Sequence, residues 1–219
     1  MALKAVVFDF DGTLAATNID FAEMRRRAID VLKRYGAWDP SLEEHGWTLE
    51  IIQAAAESLR AAGRDPAPIV AEAHREIERV ELEACQRAEL HDGAEETLRR
   101  LAEAGLAVGI ITRNCEAGVR AIISRYELPV SVVLPREKAP AVKPDPRHLL
   151  AALEAIGAEP EEAAMVGDHI TDVQCARAAG ALAVAVAGAS SSAEDLRQAG
   201  ADYVASSLPE AGEFILSRR

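Results

Sequence analysis

The segment KAVVFDFDGTL, residues 4–14, decides how the rest of the chain can be interpreted. It begins as an apolar, β-branched run, which is typical of a strand buried on both faces of a parallel sheet. Asp9 and Asp11 then stand at positions i and i+2, so an extended chain points both carboxylates to the same side. Gly12 permits a sharp turn directly after them. The segment therefore predicts a buried strand that delivers two acids to one small volume.

This pair of acids requires a compensating charge. Two buried neighbouring carboxylates are strongly destabilising unless they are paired. A cation between them is the simplest remedy, and a ligand set made only of oxygen favours Mg²⁺. The alternative interpretation is an Asx turn or a helix N-cap after a strand. That alternative explains a single Asp before Gly better than it explains the sequence Asp-x-Asp-Gly-Thr.

Composition and charge restrict the class of protein. The chain has 219 residues, enough for one large domain or for a core with a smaller unit, and its formal net charge is −12. A strongly acidic surface repels phosphate backbones and anionic membranes, so we expect no nucleic-acid partner and no membrane partner. The first residues lack a signal-peptide pattern, and the three cysteines are widely spaced without a CxxC pair. These features predict a cytoplasmic protein, as a monomer or a homodimer.

The pattern of apolar residues changes once along the chain. Residues 21 to 88 show only helical periodicity, whereas from about His91 strands alternate with helices. Such alternation predicts an α/β fold, a Rossmann-like and mostly parallel sheet core with helices on both faces. We therefore expect a catalytic core formed by residues 1–15 and 91–219, with an all-helical cap domain, residues 16–90, inserted after the first strand. The predicted strands are 4–9, 106–112, 130–134, 163–167, 182–186 and 202–205.

Polar side chains follow several of these strands. In an open α/β sheet the ligand site lies beyond the carboxyl ends of the strands. The residues expected at this edge are Asp9 and Asp11, Thr112, Arg113 and Asn114, Lys143, and Asp168 with Asp172. Each has a structural alternative when taken singly, for example Asn114 or Asp168 as a helix N-cap. Their convergence on one edge favours a functional site.

These residues resemble the four motifs of the haloacid-dehalogenase-like (HAD) hydrolase superfamily, in the branch with a helical cap similar to that of phosphoglycolate phosphatases. The first motif matches at residues 9–14, the second at Thr112, the third at Lys143 and the fourth at Gly167-Asp168 with Asp172. The second motif often continues Thr-Asn, whereas this chain has Thr112-Arg113-Asn114. Whether Arg113 or Asn114 contacts a ligand therefore stays open at this stage.

The resemblance implies a Mg²⁺-dependent phosphatase that acts on a small phosphorylated metabolite through an aspartyl-phosphate. It assigns Asp9 as nucleophile and Asp11 as general acid and base, with an acid at this second position favouring phosphoester over halide chemistry. It further implies metal binding by Asp9, by the backbone of Asp11 and by Asp168, with Asp172 holding the metal-bound waters. The implied phosphate-binding residues are Thr112, Arg113, Asn114 and Lys143.

Three further expectations complete the interpretation. Lys143 should keep Asp9 ionised, because a nearby cation lowers the pKa of a carboxylate. The helical block should act as a lid that excludes water and reads the leaving group. His45, His74, His91 and His148 are interpreted as surface or capping residues, whereas His169 lies inside the fourth motif. A phosphomutase of the β-phosphoglucomutase type and a regulatory protein without turnover are the alternative functions.

Overall fold

The structure, a computed structural model, describes residues 2–188 and 190–219. The chain divides into two units: residues up to Asn18 together with Cys85–Arg219, and the inserted segment Ile19–Ala84. We call the first the α/β unit and the second the helical unit.

A parallel sheet organises the α/β unit. Its strands lie in the order β5-β4-β1-β6-β7-β8 and all of their pairings are parallel. Strand β1 lies in the interior of the sheet, where Val7 pairs with Gly109 of β4 on one side and Met165 of β6 on the other. The strands of this sheet are β1 Ala5–Phe8, β4 Ala107–Ile111, β5 Val132–Leu134, β6 Ala163–Gly167, β7 Leu182–Val186 and β8 Tyr203–Ala205.

Helices cover both faces of the sheet, because the side chains of β1 alternate between two cores. Val6 and Phe8 belong to one buried cluster, while Ala5 and Val7 belong to the other. Three helices contribute buried residues to the first cluster: α4 Ala94–Glu103, α5 Glu116–Tyr126 and α9 Leu208–Leu216. Three others contribute to the second cluster: α6 Arg147–Ile156, α7 Ile170–Ala179 and α8 Ala193–Gln198. The expected α/β fold class is confirmed.

The helical unit has an apolar core of its own. Buried residues from its helices, including Val31, Ile52 and Ile77, form a single cluster. The helices are α1 Phe21–Arg34, α2 Thr48–Ala61 and α3 Ala67–Arg87, the last of which runs a few residues into the α/β unit. A 3₁₀ segment, Pro40–His45, precedes α2.

Two connecting segments differ from the sequence prediction. Ala15–Ala16 (β2) and Glu89–Leu90 (β3) form a short antiparallel ribbon at the two ends of the block 16–90 that is expected to be all-helical. Strands of two residues are too short to produce a detectable alternation, which is why the sequence does not predict them. Cys85 and Ala88 are buried in the core of the α/β unit, so that unit extends beyond the limits of 1–15 and 91–219.

No helix among the described residues has both the length and the apolar character needed to cross a bilayer.

Candidate active site

The first loop of the α/β unit places the two acids of the opening segment. The amide of Asp9 still donates to the carbonyl of Val166 (2.8 Å), so this residue continues the pairing of β1 with β6. The chain then turns at Gly12, whose φ is +82° and whose amide donates to the carbonyl of Ala15 (3.0 Å). A Cβ at Gly12 would lie 2.7 Å from Oδ2 of Asp168. Glycine is therefore required here both by conformation and by space.

Lys143 is held between two carboxylates. Its Nζ lies 2.5 Å from Oδ1 of Asp9 and 2.7 Å from Oδ1 of Asp172. All three residues are buried, with Lys143 only 2% exposed. A buried ion pair of this kind compensates the desolvation of its members only when the geometry is close, as it is here. Lys143 is thus an integral part of the acidic cluster and not a surface lysine.

Asp168 and Asp172 enter the same cluster from the end of β6. The hydroxyl of Thr13 donates to Oδ1 of Asp168 (2.6 Å). The amide of His169, which is the N-cap residue of α7, donates to Oδ2 of Asp172 (3.0 Å). The expected convergence of strand ends is therefore present in the structure. The helix N-cap is His169 and not Asp168, and its imidazole Nδ1 accepts from the amide of Thr171 (3.2 Å).

The oxygen atoms of this cluster fit a hard divalent cation. Asp9, Asp168 and Asp172 each bring an oxygen to within 4.8 Å of the others. Oδ1 of Asp9 also accepts from the amide of Phe10 (2.6 Å), and both oxygens of Asp172 are engaged by Lys143 and His169. Among the described residues no donor reaches Oδ2 of Asp9 or Oδ2 of Asp168. These two oxygens are the ones available to Mg²⁺, which prefers carboxylate ligands.

The electrostatics of Asp9 are dominated by burial. Desolvation raises the pKa of Asp9 well above its ordinary value, the Asp172 carboxylate raises it further, and the Lys143 ammonium lowers it. Lys143 thus acts in the expected direction, and burial together with the Asp172 carboxylate acts against it. Burial alone would lower the pKa of Lys143, but the carboxylates of Asp172 and Asp9 raise it above its usual range. The lysine is therefore cationic at neutral pH.

Asp11 has a different environment from Asp9. Its Oδ1 accepts from the hydroxyl of Thr17 (2.8 Å) and from Nδ2 of Asn114 (2.7 Å), and its Oδ2 accepts from the hydroxyl of Thr112 (3.1 Å). Burial raises the pKa of Asp11, and the hydrogen bonds from Thr17, Asn114 and Thr112 oppose that rise. The two acids of the opening segment therefore differ in their partners: Asp9 faces an ammonium, whereas Asp11 faces neutral donors.

The residues after β4 lie beside Asp11. Thr112 and Asn114 are buried, and the amide of Asn114 donates to the hydroxyl oxygen of Thr112 (2.9 Å). The N-cap residue of α5 is Cys115, so Asn114 is not a helix cap. Arg113 is partly exposed, and its carbonyl accepts from the guanidinium of Arg136 (2.7 Å).

His148 is a buried residue that the sequence interpretation misses. Expected at the surface or as a cap, it is 0% exposed. Its Nδ1 accepts from the amide of Lys143 (3.2 Å), and its Nε2 lies 3.0 Å from the carbonyl of Leu134. Burial lowers the pKa of His148 to about 4, the Leu134 carbonyl opposes this, and the Lys143 ammonium adds to it. The prediction was wrong because this contact joins a loop amide to a helix side chain, and no periodic pattern reports such a pairing.

Comparison with known proteins now defines the class. A sequence profile of the haloacid dehalogenase-like hydrolases matches residues 6–186, and the chain belongs to this family, as the motifs predict. It is similar to a phosphoglycolate phosphatase of Rhodospirillum rubrum, with 32% identity over 81% of this chain and 76% of that protein. It is 29% identical to an N-acetylmuramic acid 6-phosphate phosphatase of Pseudomonas aeruginosa, over 85% of this chain and 82% of the relative.

Among solved structures, the fold is similar to that of CbbY from Rhodobacter sphaeroides in complex with phosphate. The TM-score is 0.67 at 24% identity, and the match covers 96% of each chain. At this level of identity the likeness concerns the fold alone.

Proposed function

We propose that the protein is a Mg²⁺-dependent phosphatase that hydrolyses a small phosphorylated metabolite through an aspartyl-phosphate on Asp9. The observation that carries this proposal is the placement of the Lys143 ammonium against Asp9 in a buried cluster of oxygen ligands. The relatives named above are phosphatases of small phosphoesters, which supports the same reaction class. Phosphoglycolate is the first substrate to test, because proteins of that name recur among the relatives.

The proposed first step uses Asp9 and Asp11 in separate roles. The carboxylate of Asp9 attacks phosphorus, and the bond from phosphorus to the leaving oxygen breaks. Asp11, in its protonated form, gives its proton to that oxygen as the alcohol departs. Mg²⁺ held by Asp9, Asp168 and the backbone of Asp11 would supply charge neutralisation between the two anionic reactants. Lys143 and Thr112 are proposed to stabilise charge on the transferring phosphoryl oxygens.

The second step returns the enzyme to its starting state. Water attacks the phosphorus of the aspartyl-phosphate while the carboxylate of Asp11 accepts a proton from it. The bond from phosphorus to the Asp9 oxygen breaks, which restores the Asp9 carboxylate and releases inorganic phosphate. The raised pKa of Asp11 suits a group that must alternate between acid and base near neutral pH.

The test is phosphate release from a panel of phosphorylated metabolites, with and without Mg²⁺. Asp9→Asn should abolish release, and Asp92→Asn, which makes the same change at an exposed aspartate, should leave it intact. Absence of release from every ester by the wild type would contradict the proposal. Full activity of Asp9→Asn would contradict the assignment of the nucleophile.

The same panel separates a phosphatase from the phosphomutase alternative. A phosphatase forms inorganic phosphate in proportion to the alcohol released. A phosphomutase would instead retain a long-lived phosphoryl group on Asp9 and transfer it to a second sugar phosphate. We further propose that the block 16–90 acts as the cap domain that sets substrate preference, as the family resemblance implies.

A further inference from the structure

The side chain of Asn114 has every hydrogen-bonding group assigned to a protein partner. Its Oδ1 accepts from the amide of Cys115 (2.7 Å). Its Nδ2 donates to Oδ1 of Asp11 (2.7 Å) and to Sγ of Cys85 (3.5 Å). A carboxamide nitrogen carries two hydrogens, and both are used in these bonds. Because both hydrogens are used, and because Asn114 is only 1% exposed, this nitrogen has no hydrogen left to donate to a phosphate oxygen.

The orientation of this amide is fixed by its partners. A rotation by 180° would place Oδ1 against the Asp11 carboxylate and the NH₂ group against the donating amide of Cys115. Thr112 donates to the other oxygen of Asp11, at 3.1 Å. Residues 112–114 therefore donate to both oxygens of Asp11 at once. Together with the hydroxyl of Thr17, which also donates to Oδ1 of Asp11 (2.8 Å), they fix the rotational state of that carboxylate.

Cys85 is itself held in a crowded position. Its Sγ lies 2.7 Å from the point that a Cβ would occupy at Gly118, so α5 leaves no space for a side chain there. The guanidinium of Arg125 donates to the carbonyls of Cys85 (3.4 Å), Gln86 (3.1 Å) and Ala88 (2.8 Å), which anchors the last turn of α3. The thiol is thus a fixed acceptor for the second hydrogen of the Asn114 amide.

We propose that Asn114 is a positioning residue for Asp11, held in turn by Cys85, and that it does not bind the substrate phosphate. This proposal builds on the proposed function, since it concerns how the general acid is oriented for proton transfer to the leaving oxygen. Of the two residues that the second motif left open as ligands, Asn114 is therefore not the one that binds phosphate. Its role is instead to orient Asp11, the proposed proton-transfer residue.

The decisive measurement compares leaving groups. An alkyl phosphate needs protonation of its leaving oxygen, whereas p-nitrophenyl phosphate has a leaving group that departs without it. Asn114→Ser and Asn114→Ala should lower kcat for the alkyl ester by ~10- to 100-fold, part of the range that general acid catalysis provides. For p-nitrophenyl phosphate the loss should be much smaller. The inhibition constant of inorganic phosphate should stay that of the wild type.

Cys85 offers a matched test of the second contact. Cys85→Ala removes the acceptor and should lower kcat for the alkyl ester more than kcat for p-nitrophenyl phosphate. The loss should be smaller than that caused by Asn114→Ser. Cys85→Ser keeps an acceptor and should retain more of that rate. Cys175→Ala removes another buried thiol, one that contacts the carbonyl of Asp145, and should not change the ratio of the two substrates. Thermal melts of each variant identify any that fail to fold.

A readout without turnover keeps the inference separate from the proposed function. The NMR signals of the Asn114 side-chain NH₂ should shift in Asp11→Asn and in Cys85→Ala, and they should show no hydrogen-bond scalar coupling to ³¹P when Mg²⁺ and inorganic phosphate are added to the wild type. Such a coupling would overturn the inference, as would equal loss on both substrates with weaker phosphate inhibition. A wild type that releases no phosphate while the NMR shifts hold would overturn only the proposed function.

Discussion

The buried histidine behind Lys143 should make the stability of the α/β unit depend on pH. Nδ1 of His148 accepts from the amide of Lys143, so its proton resides on Nε2, which donates to the carbonyl of Leu134. Protonating Nδ1 would place two N–H groups against each other beside a buried ammonium. The pKa of His148 is lowered to about 4 in the folded chain, against about 6.5 in an unfolded one. Because the unfolded chain binds the proton more readily, folding is opposed when the pH falls below the unfolded value.

The size of this effect follows from the two pKa values. The stabilising contribution is fully present above pH 6.5 and is lost as the pH falls toward 4. Between pH 8 and pH 5 the free energy of unfolding should decrease by about 2 kcal/mol from this residue alone, approaching about 3 kcal/mol at lower pH. The raised pKa values of Asp9 and Asp11 act in the opposite direction. The quantity to measure is therefore the difference between the wild type and a variant.

The assay is urea unfolding followed by circular dichroism from pH 8 to pH 4.5, in EDTA. His148→Phe replaces the imidazole with an apolar ring, and His45→Gln changes an exposed histidine as control. Relative to His148→Phe, the wild type should lose about 2 kcal/mol of unfolding free energy between pH 8 and pH 5, and its loss relative to the exposed control His45→Gln should be much smaller. A pH-independent difference for His148→Phe would refute the reasoning. Histidine NMR should also show the Nε2–H tautomer of His148 at neutral pH.

Three further changes test the packing of the site. Gly12→Ala should weaken Mg²⁺ binding measured by calorimetry, because its Cβ would lie 2.7 Å from Asp168. Gly157→Ala is the control: this glycine has a similar φ (+80° against +82°) but open space around it, so the change should leave Mg²⁺ affinity the same. Lys143→Met should abolish phosphate release and lower the free energy of unfolding in EDTA by about 3 kcal/mol or more, since two buried carboxylates lose their partner; unchanged urea midpoints would contradict this. Arg125→Met should increase hydrogen exchange at the last turn of α3, whose carbonyls it contacts, and unchanged exchange there would count against that anchoring role.

The fold class could be predicted because the chain repeats one local pattern. Apolar strands such as β6 are followed by helices that end at glycines, and Gly157 and Gly180 have the positive φ values that this ending requires. The sequence also predicts the strand 4–9, which the structure confines to Ala5–Phe8. The order of the strands could not be predicted, because the pairing of β1 with both β4 and β6 depends on contacts across more than 90 residues.

The residues of the candidate site could be predicted from the sequence, but the contacts that hold them could not. Asp9, Lys143, Asp168 and Asp172 follow from the rule that ligand residues gather at the carboxyl ends of parallel strands. Their partners could not be predicted in the same way. The contact of Cys85 with Asn114 and the contact of His148 with Lys143 join side chains to groups on other elements. Such contacts depend on the packing of loops and helix ends, and the periodicity of the sequence contains no record of them.

The arrangement of charge in the cluster connects its stability with its proposed chemistry. If the carboxylates of Asp9, Asp168 and Asp172 were all ionised, the one ammonium that pairs with them among the described residues, that of Lys143, would leave an excess of two negative charges in a buried volume. Lys143 reaches Asp9 and Asp172 but makes no ion pair with Asp168 among the described contacts. The uncompensated charge therefore lies on the side of Asp168 and of Oδ2 of Asp9, and a divalent cation at that side would cancel it. The same cation would lower the pKa of Asp9, because it favours the charged form. Metal binding would thus act in the same direction as Lys143 and favour the ionised form of Asp9, the proposed nucleophile.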